Sequence, residues 1–595
     1  MLNIRTKKTA VHILTMFIFA SFLSACGGNA NQSQAAAPQD NSAGIKGGSL
    51  AYVTEIDKTK IMTFEILADA NDWQTMLDNA TAEKYISADV TINGTTVSNV
   101  GIRPKGNSSL SSVARDDTSD RYSFKIKFDE YVEDQTWLGL DKIVLNNNYS
   151  DATSMKEYLS YDIMSYIGVD APLFAYADIT VNGESWGFYL AVEDVDSGYL
   201  ERAKNDEGEL YKPESMEMGG NMQNGPDGRG GGGQPPGIEG ENRDGLPAGS
   251  PQAPNEGSNA REIPGNAGDR KGGGMRGADN GVALIYTDDN ESSYSSIFDN
   301  AETKTNEGDH RRVIEAIKNL NEGTDLETYV DVDAVLRYLA AHTAVVNLDS
   351  YSGNMGHNYL LYENDGRISM IPWDYNMAFG GFQSAGASNV VNFPIDTPVS
   401  GVGMDERPLI SKLFEVPEYL EKYHGYLQEI IDGYFADGLF EQKVDDLNAL
   451  IAGRIENDPS AFYTYEKYQA AVTELKKLGA LRAQSIQGQL DGTIPSTTDG
   501  QKAEPDKLTD ASSLDMSAMG GGMGGEGDPR GFEPPEGMDM DVMRQAMEII
   551  RSAQNSGLTG EQTARLHELG LTDEQIDQMQ AQFSRGFDDR PRGGQ

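Results

Sequence analysis

The feature that most restricts the fold is a break near the middle of the chain. From Met216 to Gly281 the sequence turns to Gly, Pro, Asn, Met and Asp, with Gly230 to Gly233 in a row. Such a stretch holds too little apolar side chain to offset the entropy of ordering it, and it is expected to be a disordered insert. The residues on either side are patterned differently, so the core must come from two unlike halves. Before the break, SADVTINGTTVSNVGIRP, RYSFKIKF and ADITVNGESWGFYLAVEDV alternate polar and apolar residues, as half-buried strands do. Asn93-Gly94 and Asn182-Gly183 fall between such runs, the strongest short signal for a two-residue hairpin. One helix interrupts the strands: Ser150 to Thr153 offer capping side chains, and Met155, Leu159, Ile163, Met164 and Ile167 recur at helical spacing before Gly168.

After the break the spacing is helical, through Val313, Ile314, Ile317 and Leu320, then Val335, Leu336 and Leu339. Further helices are expected over Pro408–Phe414, Glu418–Phe435, Phe440–Ile455 and Glu466–Leu490. The fold class is therefore α+β, with an antiparallel sheet-rich half carrying one helix and then a mainly helical half. The expected organisation is a signal segment over 1–26, a stalk over 27–48, the sheet-rich half over 49–215, the insert over 216–281 and the helical half over 282–495. A low-complexity linker over 496–541 and a small helical appendage over 542–595 complete it.

The N-terminus begins with Arg5, Lys7 and Lys8, continues with an apolar run from Ala10 to Leu23, and ends Leu23-Ser24-Ala25-Cys26. This is the pattern of an export signal, too short for a spanning helix. The small residues before Cys26 resemble the bacterial lipobox, in which the cysteine is lipidated. Cys26 is the chain's one cysteine, so internal disulfides and multi-thiolate metal sites are excluded. The expected location is the extracytoplasmic face of a bacterial envelope, with the lipid anchor as membrane partner. Acidic residues number 93 against 48 Lys and Arg, for a formal charge of −45. A surface this negative repels phosphate backbones, and no nucleic-acid partner is expected.

Three clusters carry residues that folding alone does not require. Lys105, Gly106, Asn107, Ser108 and Ser109 follow the strand Val100-Gly101-Ile102 and make a loop able to bring backbone N–H groups to phosphate oxygens; taken alone it reads better as a hairpin connection with a chance lysine. In Tyr122–Phe128, Phe124, Ile126 and Phe128 share one face and Lys125 and Lys127 the other. On a surface strand two lysines serve solubility, whereas in a cleft one could neutralise a polyphosphate, with Glu157 of the next helix to orient it. The third cluster places Asp349 and Asn354 in a D-x-x-x-x-N spacing after a helix, followed by a hairpin turning at Asn364-Asp365-Gly366 and then Asp374. In protein kinases that spacing sets a carboxylate against the substrate hydroxyl and an amide on magnesium. Either aspartate alone reads as a cap or turn former; the ordered set of all these parts is what points to phosphotransfer.

RPKGNSS, YSFKIKF, LNNNYSDATSMKEYLSYDIMSYIG, NGESWGFYLAVEDVD, GHNYLLY and IPWDYNMAFGG together resemble the CotH (spore coat protein H) kinase family, over roughly Thr54 to Leu490. The resemblance implies an atypical two-lobe protein-kinase-like fold that binds ATP with Mg2+ or Mn2+ and phosphorylates Ser or Thr of exported proteins. It gives Asp349 the role of catalytic base and Asp374 that of metal ligand, with Asn354 or Asn358 completing the metal site. Lys127, or Lys125 beside it, resembles the phosphate-binding lysine with Glu157 as partner. Lys105 to Ser109 would cover the phosphates, and Glu193 to Asp196 would join the lobes. The sequence departs from ordinary kinases in lacking His-Arg before Asp349 and in following Asp374 with Tyr375-Asn376. The alternative is a non-catalytic surface scaffold on the same fold.

Overall fold

The computed structural model describes residues 50–116, 118–214, 280–384 and 386–521, together with 558, 560–569, 571, 572 and 576 near the C-terminus. All lie in one unit, Ser49–Gln595. Cys26, the stalk, nearly all of the insert and most of the appendage fall outside the described residues.

The sheet-rich half contains β1 (Ile61–Ala68), β2 (Ile86–Ile92), β3 (Thr95–Lys105), β4 (Ser123–Lys127), β5 (Lys142–Asn146), β6 (Phe174–Val181) and β7 (Glu184–Glu193). They form a closed barrel in the order β1-β2-β3-β4-β5-β7-β6. Neighbours are antiparallel except β1 and β6, whose parallel pairing, with Phe64 opposite Ile179, seals the barrel. Alternation along each strand does not reveal that closure, and a closed seven-stranded barrel is not specific to kinases. Both Asn-Gly pairs turn hairpins: Asn93 and Gly94 have φ of 48° and 83°, Asn182 and Gly183 51° and 86°, the left-handed values such turns require.

Strand alternation then sorts side chains into two cores. Phe64, Val90, Ile102, Phe124, Ile126, Ile143, Leu145 and Ala191 fill the barrel. Val144, Tyr176, Leu190 and Val192 point outward from β5, β6 and β7 and join Leu159 and Ile163 in the core shared with the helical half. The helix Lys156–Tyr166 is thus held against the barrel's outer wall. It starts later than the capping residues suggest, because Asp151 spends its carboxylate on the loop before it, accepting from the N–H groups of Thr153 at 2.9 Å and Lys156 at 2.9 Å.

In the second half, helices Glu307–Glu322, Val332–Val345, Pro408–Phe414, Pro417–Ile430, Leu439–Glu456 and Tyr465–Leu490 appear within a few residues of their expected positions. β9 (Tyr359–Asn364) and β10 (Arg367–Pro372) form the expected hairpin. Its partner comes from before the insert: β8 (Glu209–Tyr211) pairs with β9, Leu210 opposite Tyr362. The stretch 496–521, expected as linker, is packed. Met519 is fully buried, and Ala511 and Leu514 nearly so. Three apolar anchors without a period leave no signal against a background of Gly, Met and Ser.

Candidate active site

The site forms where the outer wall of the barrel meets the helix Lys156–Tyr166 and the loops flanking β9 and β10. Register sets which cation reaches it. Lys105 pairs with Ser123 across β3 and β4, Arg103 with Lys125 and Gly101 with Lys127, so these side chains form successive rows on one face. The Lys105 row ends next to Asn146, whose Oδ1 accepts from Lys105 Nζ at 3.1 Å. The Asn146 Nδ2 group in turn donates to both Glu157 oxygens, at 3.1 and 3.0 Å. Glu157 also accepts from the Tyr161 hydroxyl at 3.2 Å, and that hydroxyl accepts the backbone N–H of Asp374 at 3.2 Å. One chain of hydrogen bonds therefore runs from Lys105 to Asp374.

The lysine expected beside Glu157 was Lys127 or Lys125, and the structure corrects this to Lys105. Four residues along a strand displace Lys127 by about 14 Å from the Lys105 row, and its ammonium lies 3.1 Å from Glu130. Lys125 pairs with Asp194 at 2.6 Å. Glu193 is also redirected. It is fully buried, and accepts from Arg202 Nη2 at 2.6 Å, from Tyr52 Oη at 2.8 Å and from the N–H of Leu173 at 2.9 Å. Alternation turns its neighbour Asp194, not Glu193, toward the lysine-bearing wall.

Asp349 follows the helix Val332–Val345. His357 Nε2 lies 3.1 Å from one of its carboxylate oxygens, and Asn358 Nδ2 donates to the other at 3.1 Å and to the Asp349 carbonyl at 2.9 Å. Of the two candidate amides, it is Asn358 that meets Asp349; Asn354 stands instead beside Gly401, where a Cβ would come within 3.2 Å of its own. Asp374 follows β10 with φ of 61°, a left-handed conformation that an aspartate holds only at some cost. Lys105 thus ends β3, Gly106 and Asn107 form the turn after it, and Ser108 and Ser109 open the short helix Ser108–Val113.

The electrostatics show how closely these groups face one another. Burial lowers the affinity of the Lys105 ammonium for its proton, with Asp374 and Glu157 pulling the other way. Burial, then the charge of Asp374, pushes Glu157 up to about 7. Asp374 is likewise raised by burial and by the Asp349 charge, against the pull of Lys105, Lys212 and His357. In His357 burial opposes the charged form, but the hydrogen bond and charge of Asp349 prevail and its affinity is raised. Two carboxylates, a third on the helix, Lys105 and an imidazole thus face one another, with the partly exposed Lys212 at the edge. Among the described residues no group of three His, Cys, Asp or Glu is arranged as a metal site.

Residues 102–486, about two thirds of the sequence, match the family described as CotH kinase protein. The chain belongs to that family. It is also 23% identical over 270 residues to the inner spore coat protein H of Bacillus subtilis (strain 168), a match covering 42% of this chain and 53% of that protein. The chain thus spans about half the length of this curated relative.

In this CotH-family chain a buried imidazole that motif reading did not single out braces the two aspartate loops. His342 Nδ1 lies 2.9 Å from the hydroxyl of Tyr375, next to Asp374, and Nε2 lies 2.8 and 3.0 Å from Ser352 and Ser350, next to Asp349. Burial pushes it down to about 4, so it is neutral at physiological pH. Asn146, Tyr161 and His357 were also missed as site residues, although each lies inside a quoted motif. Asn146 ends a mainly buried strand, Tyr161 lies on a buried helix and His357 on the loop before β9, so no local pattern set them apart.

Proposed function

We propose that this CotH-family protein is an atypical protein kinase that transfers the γ-phosphate of ATP to Ser or Thr of exported proteins. The observation supporting this is the convergence of Lys105, Glu157, Asp349 and Asp374, drawn from four separate stretches of chain, in one electrostatically coupled cluster. Lys105 is assigned to the ATP phosphates and Glu157, through Asn146, to holding it. Asp349 orients the substrate hydroxyl and takes its proton as the oxygen attacks phosphorus and the bond to the ADP oxygen breaks.

The donor set suits magnesium or manganese, which favour oxygen ligands and share them with substrate phosphates. Asp374 would supply a carboxylate and Asn358, whose Nδ2 group is committed to Asp349, would offer its Oδ1. When bound, the metal neutralises phosphate charge. This dependence on phosphate oxygens accounts for a site with few protein ligands. The lipobox-like Leu23–Cys26 supports placing the protein on the outer face of an envelope membrane. The test is transfer of labelled phosphate from ATP to casein or co-exported proteins with Mg2+ or Mn2+. Wild type is expected to label its substrate and Asp349→Ala to lose that activity; equal rates for the two overturn the proposal.

A further inference from the structure

Beyond the family match, which ends at residue 486, residues 495–521 run along the helical half and reach the loops that flank the site. Ser496 bonds to Asp396 through backbone and side chain, at 2.9 and 2.5 Å. Thr509 exchanges two hydrogen bonds with the buried Asn392 side chain, at 2.9 and 3.0 Å. The N–H of Asp515 donates to Glu474 at 2.9 Å. Three contacts at the far end matter most. A Cβ on Gly380, six residues after Asp374, would lie 3.1 Å from Met516 Cε. The fully buried Met519 accepts the N–H of Ala152 at 3.2 Å. Gly520, with φ of 75°, passes so close to the loop before Lys156 that a Cβ would lie 2.7 Å from Ser150 O and 3.0 Å from Ala152 N.

That loop is strained, with Asn148, Ser150 and Ser154 all at positive φ, and such a conformation persists only where its surroundings impose it. Its two ends lead to the site: Asn146 precedes it and Glu157 follows. It is also tied to the Asp374 turn, because Asn376 Nδ2 donates to Tyr149 O at 3.0 Å. We infer that residues 495–521 form a strap that positions Glu157 and Asp374 by pressing the 147–155 loop and the 376–381 turn together. The strap is a positioning element, and its functional consequence rests on the phosphotransfer reading above.

The test is amide hydrogen exchange on the full-length chain without nucleotide, paired with titration of Mg·ATP. In Gly520→Ala, exchange at the Ala152 and Lys156 amides rises roughly tenfold while amides of the helix Tyr465–Leu490 keep their rates. The Mg·ATP dissociation constant rises about fivefold, since the competent arrangement is less populated. Lys502→Ala, at an exposed strap position, changes neither. Unaltered exchange at Ala152 and Lys156 overturns the strap, and faster exchange with unaltered Mg·ATP affinity overturns its positioning role. If Gly520→Ala loosens the whole helix as well, Met516→Ala decides instead: faster exchange at Gly380 and Gly381 with weaker Mg·ATP binding supports the strap, and no change at either overturns it. A wild type that does not bind Mg·ATP defeats the phosphotransfer reading, whereas the exchange arm still decides whether the strap holds the loop.

Discussion

The Tyr161 hydroxyl accepts the backbone N–H of Asp374 at 3.2 Å while donating to Glu157 at the same distance. One buried phenol thus links the helix carboxylate to the aspartate loop. Tyr161→Phe keeps the ring's packing but takes the acceptor from the part-buried Asp374 N–H and one of several donors from Glu157, a cost of about 1 kcal/mol in stability. Phosphate transfer is expected to fall by about tenfold, because the loop that sets Asp374 loses its tie. Chemical denaturation and kinetics on the same preparation check both.

Lys105→Met and Lys127→Met separate the two candidate cations. The first removes the charge that faces Glu157 and Asp374 and is expected to lower transfer by about a hundredfold, as loss of a phosphate-directed donor does. The second removes a lysine paired with Glu130 and is expected to leave the rate within about twofold, because the register sets it about 14 Å from the Lys105 row. Steady-state rates at saturating ATP give the comparison.

Glu157 yields a pH prediction with a definite sign. Its carboxyl is raised from 4.5 to about 7 by burial and Asp374, so the folded state holds a proton that the unfolded state releases. Its stabilising contribution is complete below about pH 4.5 and is lost as pH rises toward 7. Glu157→Gln copies the protonated form: near neutral at pH 5, it should be more stable than wild type by about 2–3 kcal/mol above pH 7, while losing activity because Lys105 loses its orienting charge. Urea denaturation at pH 5 and pH 8 measures the difference; equal differences at both values would contradict the assignment.

The Glu193 and Arg202 pair is expected to govern folding. Arg202→Ala strands a fully buried carboxylate and should cost about 3–5 kcal/mol, with Mg·ATP affinity retained by the fraction that stays folded. Thermal unfolding with and without nucleotide separates the two effects.

Much of the fold could be read locally, and the exceptions share a cause. Helical periodicity located helices such as Tyr465–Leu490, and Asn182-Gly183 located its hairpin, because each signal lies within a few adjacent residues. The parallel seam between β1 and β6 joins strands more than a hundred residues apart, and nothing in either strand announces it. In the site, alternation placed Lys125 and Lys127 on the correct wall but could not show which row Asn146 and Glu157 would meet. A slip of one residue separates Glu193 from Asp194 and reverses the face. Asp349, Glu157 and Asp374 were noticeable as carboxylates in otherwise patterned segments. Tyr161 and His342, on apolar faces, looked like core.

The central claim is that Lys105, Glu157, Asp349 and Asp374 form one site for a metal-bound nucleotide, and its most direct measurement is calorimetric titration of Mn·ATP into the full-length protein. Wild type is expected to bind at one site, Asp374→Asn to bind about a hundredfold more weakly, and Lys127→Met to bind as wild type does. Failure of wild type to bind, or equal affinity in Asp374→Asn, would contradict it.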